Sequence, residues 1–256
     1  MIHNTPLPVH DLQKVPENTL IEDLLLEKEI KGVEFRFISM KGEVRFAGER
    51  GWNYYDVLLS LKTGDAILKI NGNEYSVGPE HIVRIPYGKG YTMLVGEKRK
   101  FRFLLVRKYL DKKDKCIIKE KPEYHDAMYI KSFSECPVYT EDIKSEKTIN
   151  RMLLPEGLVP RFCMGLVETE GPDEVGEHEH DMLDQVFLGL EDCRCLVHAD
   201  GAKALLTQNM LLYIPLGSKH SVTVEEGNKL SYIWMDFFLS QEGQKYMEEQ
   251  HHIKNE

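Results

Sequence analysis

Tyr55-Asp56-Val57-Leu58-Leu59-Ser60-Leu61 and Asp184-Gln185-Val186-Phe187-Leu188-Gly189-Leu190 read as one pattern written twice, a polar entry followed by an apolar run. Farther along, Ile85-Pro86-Tyr87-Gly88-Lys89-Gly90-Tyr91 resembles Ile214-Pro215-Leu216-Gly217-Ser218-Lys219-His220. Both pairs lie at a single offset of 129 residues, so Asp56 maps to Gln185, Pro86 to Pro215, Gly88 to Gly217 and Tyr91 to His220. Two separate matches in one register, with no gap between them, indicate a duplication.

Each half carries the marks of β structure. Short apolar or alternating runs recur at Val33 to Ile38, Val57 to Leu61, Ala66 to Ile70 and Ile82 to Ile85. The second half offers Phe162 to Val167, Val186 to Leu190, Met210 to Ile214 and Leu230 to Phe238. Asn71-Gly72 and Asp200-Gly201 are hairpin dipeptides at matching places in the repeat. Many short strands at this spacing predict a sandwich or barrel in each half. Helices are few. Asn18 to Lys31 sets Leu20, Leu24, Leu25 and Ile30 among charges, which suits a short helix or an arm; Ser240 to Gln250 opens on a good N-cap and reads as a closing helix. Asp111 to Lys121 is mostly charge, the run from Arg107 to Lys121 reads as a solvated connector, and 121–150 has no sustained period.

The 256 residues carry 42 acidic against 33 basic side chains, and the net charge of −9 is a poor footprint for nucleic acid or anionic lipid. No apolar run approaches the roughly 18 residues that span a bilayer. Met1-Ile2-His3-Asn4-Thr5-Pro6 lacks a charged start followed by an apolar stretch, and the five cysteines form no C-x-x-C pair. A cytoplasmic chain with a small-molecule ligand, no nucleic acid and no membrane partner is expected. Cys193 and Cys195 share a strand face and read as core.

The chemistry lies in the second half. Gly176-Glu177-His178-Glu179-His180-Asp181-Met182-Leu183-Asp184-Gln185 is followed by Asn209 and Pro215-Leu216-Gly217-Ser218-Lys219-His220. On a strand, His178 and His180 face the same way, Gln185 enters from the adjoining strand, and His220 follows a Pro-x-Gly turn. Three imidazoles and one oxygen donor make a mononuclear site for one divalent transition metal per chain: iron, manganese, nickel, copper or zinc. Glu177, Glu179 and Asp184 alternate with these positions and should point away. Under the offset, Glu49, Gly51, Asp56 and Tyr91 stand where His178, His180, Gln185 and His220 stand, so the first half lacks the imidazoles for such a site.

These motifs resemble the cupin superfamily, whose first motif is G-x5-H-x-H-x(3,4)-E-x6-G and whose second is G-x5-P-x-G-x2-H-x3-N. The resemblance covers roughly residues 30–110 and 155–240. It implies an all-β chain of two tandem cupin barrels (double-stranded β-helix, jelly-roll), a bicupin, with an N-terminal arm and a short C-terminal helix. His178, His180 and His220 fall on the family's histidine ligand positions, and Gln185 falls on the glutamate position. Pro172, Gln185, Asp192, Asn209 and Val224 depart from the pattern. The expected organisation is an arm over 1–29, a barrel without metal ligands over 30–112, a linker over 113–150, a metal-binding barrel over 151–240, and a helix and tail over 241–256.

With glutamine for glutamate, the donors bring no negative charge, and the ion's remaining field favours an anionic ligand. The leading expectation is a metal-dependent bicupin enzyme acting on a small polar, anionic metabolite, its class open among isomerase, hydrolase and dioxygenase. The alternative is a non-catalytic, metal-loaded cupin that binds or senses a small ligand. The ureidoglycine aminohydrolase family is similar in length and in placing its metal in the second half, but its ligand pattern differs. No residue is assigned to proton transfer. Tyr213, Tyr232 and Trp234 are candidate barrel lining or core, and Arg161, Arg194 and Lys203 are candidate clamps for an acidic substrate. His251-His252 reads as a solvated tail, and the resemblance implies a homodimer.

Overall fold

The computed structural model describes residues 2–253. The chain divides into two compact units, Pro8–Phe133 and Met1–Leu7 with Ser134–Glu256.

The 129-residue register runs through the strands of both. Val33–Lys41, Tyr54–Ser60, Tyr91–Val95 and Lys100–Tyr109 have counterparts of equal length in Phe162–Glu170, Leu183–Gly189, His220–Val224 and Lys229–Phe238. In the first unit a six-stranded sheet runs Tyr129–Ser132, His81–Arg84, Tyr54–Ser60, Lys100–Tyr109, Val33–Lys41, Thr19–Leu25. A four-stranded sheet runs Val44–Gly48, Tyr91–Val95, Ala66–Ile70, Asn73–Val77. Ile38, Leu58 and Phe103 from the larger sheet meet Phe46, Leu68 and Met93 from the smaller in one core. The smaller sheet keeps one dry face: along Ala66–Ile70, buried and exposed side chains alternate at every position.

The second unit repeats the plan. Its four-stranded sheet runs Asp173–His178, His220–Val224, Arg194–Ala199, Ala202–Thr207. Its larger sheet runs His3–Pro6, Met210–Ile214, Leu183–Gly189, Lys229–Phe238, Phe162–Glu170, Ile149–Val159, Val138–Thr140, His252–Ile253. Phe187, Leu212 and Trp234 pack with Val175, Val197 and Val222 between the sheets. The hairpin dipeptides sit in equivalent turns, with positive φ at both Asn71 and Gly72 and at both Asp200 and Gly201. That pairing of angles is what a tight two-residue turn between twisted strands requires.

Three expectations change. Thr19–Leu25 is a strand paired with Val33–Lys41, not a helix or a free arm. Its leucines at 20 and 24 have the spacing of a helical face, but both project outward, and the ladder satisfies the backbone instead. The stretch over 113–150 is built into the two units rather than strung between them. Tyr129–Ser132 pairs with His81–Arg84, and Val138–Thr140 pairs with Ile149–Val159. The charge run is not simply solvated. Asp111 caps the helix Lys112–Glu120 by accepting from the Lys113 and Asp114 backbone N–H groups, and Lys108 is buried against Asp114 at 3.0 Å.

The closing helix, Gln241–Gln250, starts where expected, with the Gly243 N–H donating to Ser240 Oγ at 3.1 Å. Among the described residues, no helix is long and apolar enough to cross a membrane.

Candidate metal centre

His178 closes the strand Asp173–His178, His220 opens His220–Val224, and the two pair across the ladder. Between Val175 and His178 the register slips by one residue, a bulge that turns His178 out of the regular alternation. His180 lies beyond the strand end. Its carbonyl accepts from the Gly217 N–H at 3.1 Å, and Gly217 takes the positive φ of +72° that the Pro215-Leu216-Gly217 turn demands. A bulge and a loop, rather than simple strand alternation, bring the imidazoles together.

One ring nitrogen from each of His178, His180 and His220 lies within 4.8 Å of the others. The His178 and His220 rings are 4.2 Å apart between centroids, and the His180 and His220 rings are 5.5 Å apart. His178 Nδ1 donates to the Gly176 carbonyl at 2.8 Å, and His220 Nδ1 donates to the Ser218 carbonyl at 3.0 Å. A carbonyl only accepts, so the proton sits on Nδ1 and Nε2 keeps its lone pair. Burial lowers the pKa of His178; burial together with the neighbouring imidazoles lowers His180 to about 3 and His220 to about 4. All three therefore stay neutral near pH 7, the form that ligates.

Gln185 stands on Leu183–Gly189, opposite Asp236 in the ladder. Its Nε2 donates to Asp236 Oδ1 at 2.8 Å, which leaves Oε1 to face away from that bond. Gln185 Oε1 and His220 Nε2 are both buried and have no hydrogen-bond partner. Leaving two acceptors dry and unpaired costs about 1–3 kcal/mol each, unless a ligand satisfies them. Three neutral imidazoles and an amide oxygen suit a borderline divalent ion, and the two orphaned atoms are where such an ion would be needed.

A cavity of about 210 Å³ opens beside the histidines, lined by His178, His180 and Gln185 and walled by Val175, Phe187, Tyr232, Trp234 and Met247. Gln185, His180 and His220 also border a narrow cleft with Ser218 and Pro215. Of the aromatic candidates, Tyr232 and Trp234 are both core and cavity wall, whereas the Tyr213 hydroxyl donates to Asp184. Asp184 and the exposed Glu177 point away, as alternation requires; exposed Glu179 reaches the cavity rim. Arg161, Arg194 and Lys203 are not in the lining, and Arg194 and Lys203 are exposed. Cys193 and Cys195 are buried with their sulfurs 3.9 Å apart.

Among the lining residues that the sequence motifs did not point to are Glu141, Lys144, Asp236 and His251. Lys144 bridges to Val175, and the Gly176 N–H donates to the Ile143 carbonyl, so the supposed linker lies alongside the histidine-bearing strand. Lys144 Nζ donates to Glu141 Oε2 at 2.8 Å and to the Tyr139 hydroxyl at 3.3 Å. His251 is not a solvated tail residue. It is buried between Glu141 at 2.9 Å and Glu156 at 3.0 Å, while the side chain of His252 lies outside the described residues. Burial opposes charge on His251, yet the two carboxylates raise it to about 9; burial likewise opposes Glu141, which Lys144 and His251 hold at about 2. Burial pushes Asp236 up to about 7 against the pull of Gln185.

No family model matches the chain, and no curated protein matches it by sequence. Solved structures do. The YlbA protein of E. coli superposes with a TM-score of 0.65 at 11% identity, over 92% of this chain and 90% of its own. A cupin 2 conserved barrel domain protein from Leptotrichia buccalis gives 0.59 at 11%, over 89% and 92%. The fold is the cupin fold. Oxalate decarboxylase of Bacillus subtilis gives 0.61 at 14%, over 92% of this chain and 79% of its own.

The first cupin barrel keeps the frame without the imidazoles. Arg107 stands where the offset places Asp236, and it is paired in the ladder with Asp56, the counterpart of Gln185. Arg107 Nε and Nη2 donate to the two oxygens of Asp56 at 2.7 and 2.8 Å, and the Tyr91 hydroxyl donates to Asp56 at 3.2 Å. The guanidinium also lies 3.8 Å over the Tyr54 ring. An internal cation stands at the position that Asp236 holds in the cavity lining of the other barrel. Glu49 is exposed, as expected of a residue with no ligand to hold.

Proposed function

We propose that the chain is a metal-dependent enzyme acting on a small polar, anionic metabolite, with one divalent transition-metal ion held by His178, His180, His220 and Gln185. The observation that supports this most is the pair of buried, orphaned acceptors, His220 Nε2 and Gln185 Oε1, beside a cavity where neutral imidazoles converge. When bound there, such an ion supplies Lewis-acid polarisation of a ligand oxygen.

The chain's own residues set the terms. Four neutral donors leave the ion's charge uncompensated, which selects an anion. The carbonyls of Gly176 and Ser218 fix the tautomers of His178 and His220, and Asp236 fixes the amide of Gln185 with its oxygen outward. Phe187, Tyr232 and Trp234 give the cavity an apolar wall that limits water and strengthens every electrostatic contact inside. The cavity volume fits a metabolite of a few heavy atoms rather than a polymer.

Elemental analysis of untagged protein tests the centre, with one equivalent expected and a large loss in His180→Ala. Turnover of a pool of small carboxylates, dependent on metal and absent in His180→Ala, tests the enzyme. A protein that takes up metal and anion but turns nothing over would be the metal-loaded binder instead.

A further inference from the structure

We infer that Lys144 anchors a second anionic group, so that the cavity takes a small dicarboxylate with one end at the metal centre and the other on the Lys144 ammonium. This rests on the metal-centre reading above, and it adds the far end of the ligand.

Lys144 lines the same cavity as His178 and His180 while its side chain is only 5% exposed. An ammonium has three N–H donors. Two of them go to Glu141 and the Tyr139 hydroxyl, and the ammonium lies 5.3 Å from the centre of the Tyr139 ring. The third donor is left for whatever occupies the cavity, solvent or a ligand that displaces it. The lining also carries the acidic side chains of Asp142, Glu179 and Asp236. Lys144 and His251 face Glu141 and Glu156, and each carboxylate oxygen of Glu141 is engaged, one by each cation.

Position supports the same conclusion. The bridge to Val175 places Lys144 beside the strand three residues before His178, at most about 10 Å along it at roughly 3.3 Å per residue, and the bulge in that interval shortens the span. Both side chains line the one cavity of about 210 Å³, which holds a ligand of a few heavy atoms. A metal ion at one end and a Lys144 N–H donor at the other, with Val175, Phe187 and Trp234 between, match two carboxylates on a short hydrocarbon spacer.

The test is calorimetric titration of the metal-loaded full chain with acetate, malonate, succinate and glutarate. At least one dicarboxylate should bind roughly 10- to 100-fold more tightly than acetate, the range of a hydrogen bond to a charged group. Lys144→Met should remove that advantage while leaving metal content and acetate affinity in place, and Lys144→Arg should retain it. Glu141→Gln frees Lys144 from a competing carboxylate and should keep or increase the advantage; a purely structural ion pair would instead make Lys144→Met and Glu141→Gln fail alike. The inference is overturned if no dicarboxylate exceeds acetate, or if the advantage survives Lys144→Met. A parent chain that takes up no metal sinks the metal-centre reading separately. Lys144-dependent succinate binding by that metal-free chain would still support the anchor, and its absence would overturn it.

Discussion

Replacing Arg107 by methionine should destabilise the first barrel severely while leaving the second barrel's chemistry alone. Arg107 makes both of its hydrogen bonds to a carboxylate that is 1% exposed, and its own side chain is 13% exposed. Methionine fills much of the same space but carries no charge. Asp56 would then keep only the Tyr91 hydroxyl as a donor, at 3.2 Å. Removing one partner of a buried ion pair costs about 3–5 kcal/mol, because the other charge is stranded. The lost stacking over Tyr54 adds roughly 0.5–1 kcal/mol. Urea unfolding followed by circular dichroism reads the loss as a lower midpoint with an unchanged slope. The double variant Asp56→Asn with Arg107→Met should recover much of it, since no charge is left buried. A single-variant cost below about 1 kcal/mol, or a double variant whose cost is the sum of the two singles, would refute the stranded-charge argument.

Metal content should be indifferent to the first barrel: Glu49→Ala and Tyr91→Phe are expected to match the parent by elemental analysis, in contrast to His180→Ala. Gln185→Glu places a second carboxyl against Asp236 at hydrogen-bond distance, and two carboxylates there cannot both ionise. The variant should lose roughly 1–3 kcal/mol of stability in urea near neutral pH, and Asp236→Asn should restore it; no loss would mean the two side chains do not face each other. His251 has its pKa raised from 6.5 to about 9 in the folded chain, so its stabilisation is complete below the lower value and is lost as pH rises through the higher one. Stability should fall by on the order of 3 kcal/mol between about pH 6 and about pH 10, and His251→Gln should flatten that slope in the same urea titrations.

Much of this was written in the sequence as periodicity. Strand alternation and a single register are local properties, and the pairing Asp56/Gln185 with Tyr91/His220 placed both barrels and three converging histidines. The cavity's far wall was not legible. Glu141 and Lys144 lie in a stretch with no apolar period, and their burial depends on a bridge to Val175 that only the folded sheet supplies. His251 sits in a polar tail, and what draws it inside is a pair of carboxylates 110 and 95 positions back along the chain, at 141 and 156. Periodicity reports which face of an element is dry. It is silent on buried charge, because charge is buried by its partners and those partners are distant.

Asp236 is the instructive case between these extremes, since the register reaches it but chemistry disguises it. Its counterpart is Arg107, of opposite charge, so a search for similar residues passes over the pair. Compared rung by rung, the two barrels place one carboxylate and one N–H donor across the same two strands. In the first, the carboxylate is Asp56 and the donor is the Arg107 guanidinium; in the second, the carboxylate is Asp236 and the donor is the Gln185 amide. Exchanging the strands leaves an acceptor, Gln185 Oε1, buried without a partner in the cleft it shares with His180 and His220, and removes the built-in cation. The first barrel is thus closed by a positive charge that belongs to the chain. The second keeps acceptors and no cation at the equivalent place, and on the proposed reading a metal ion supplies the charge that the guanidinium supplies in the first.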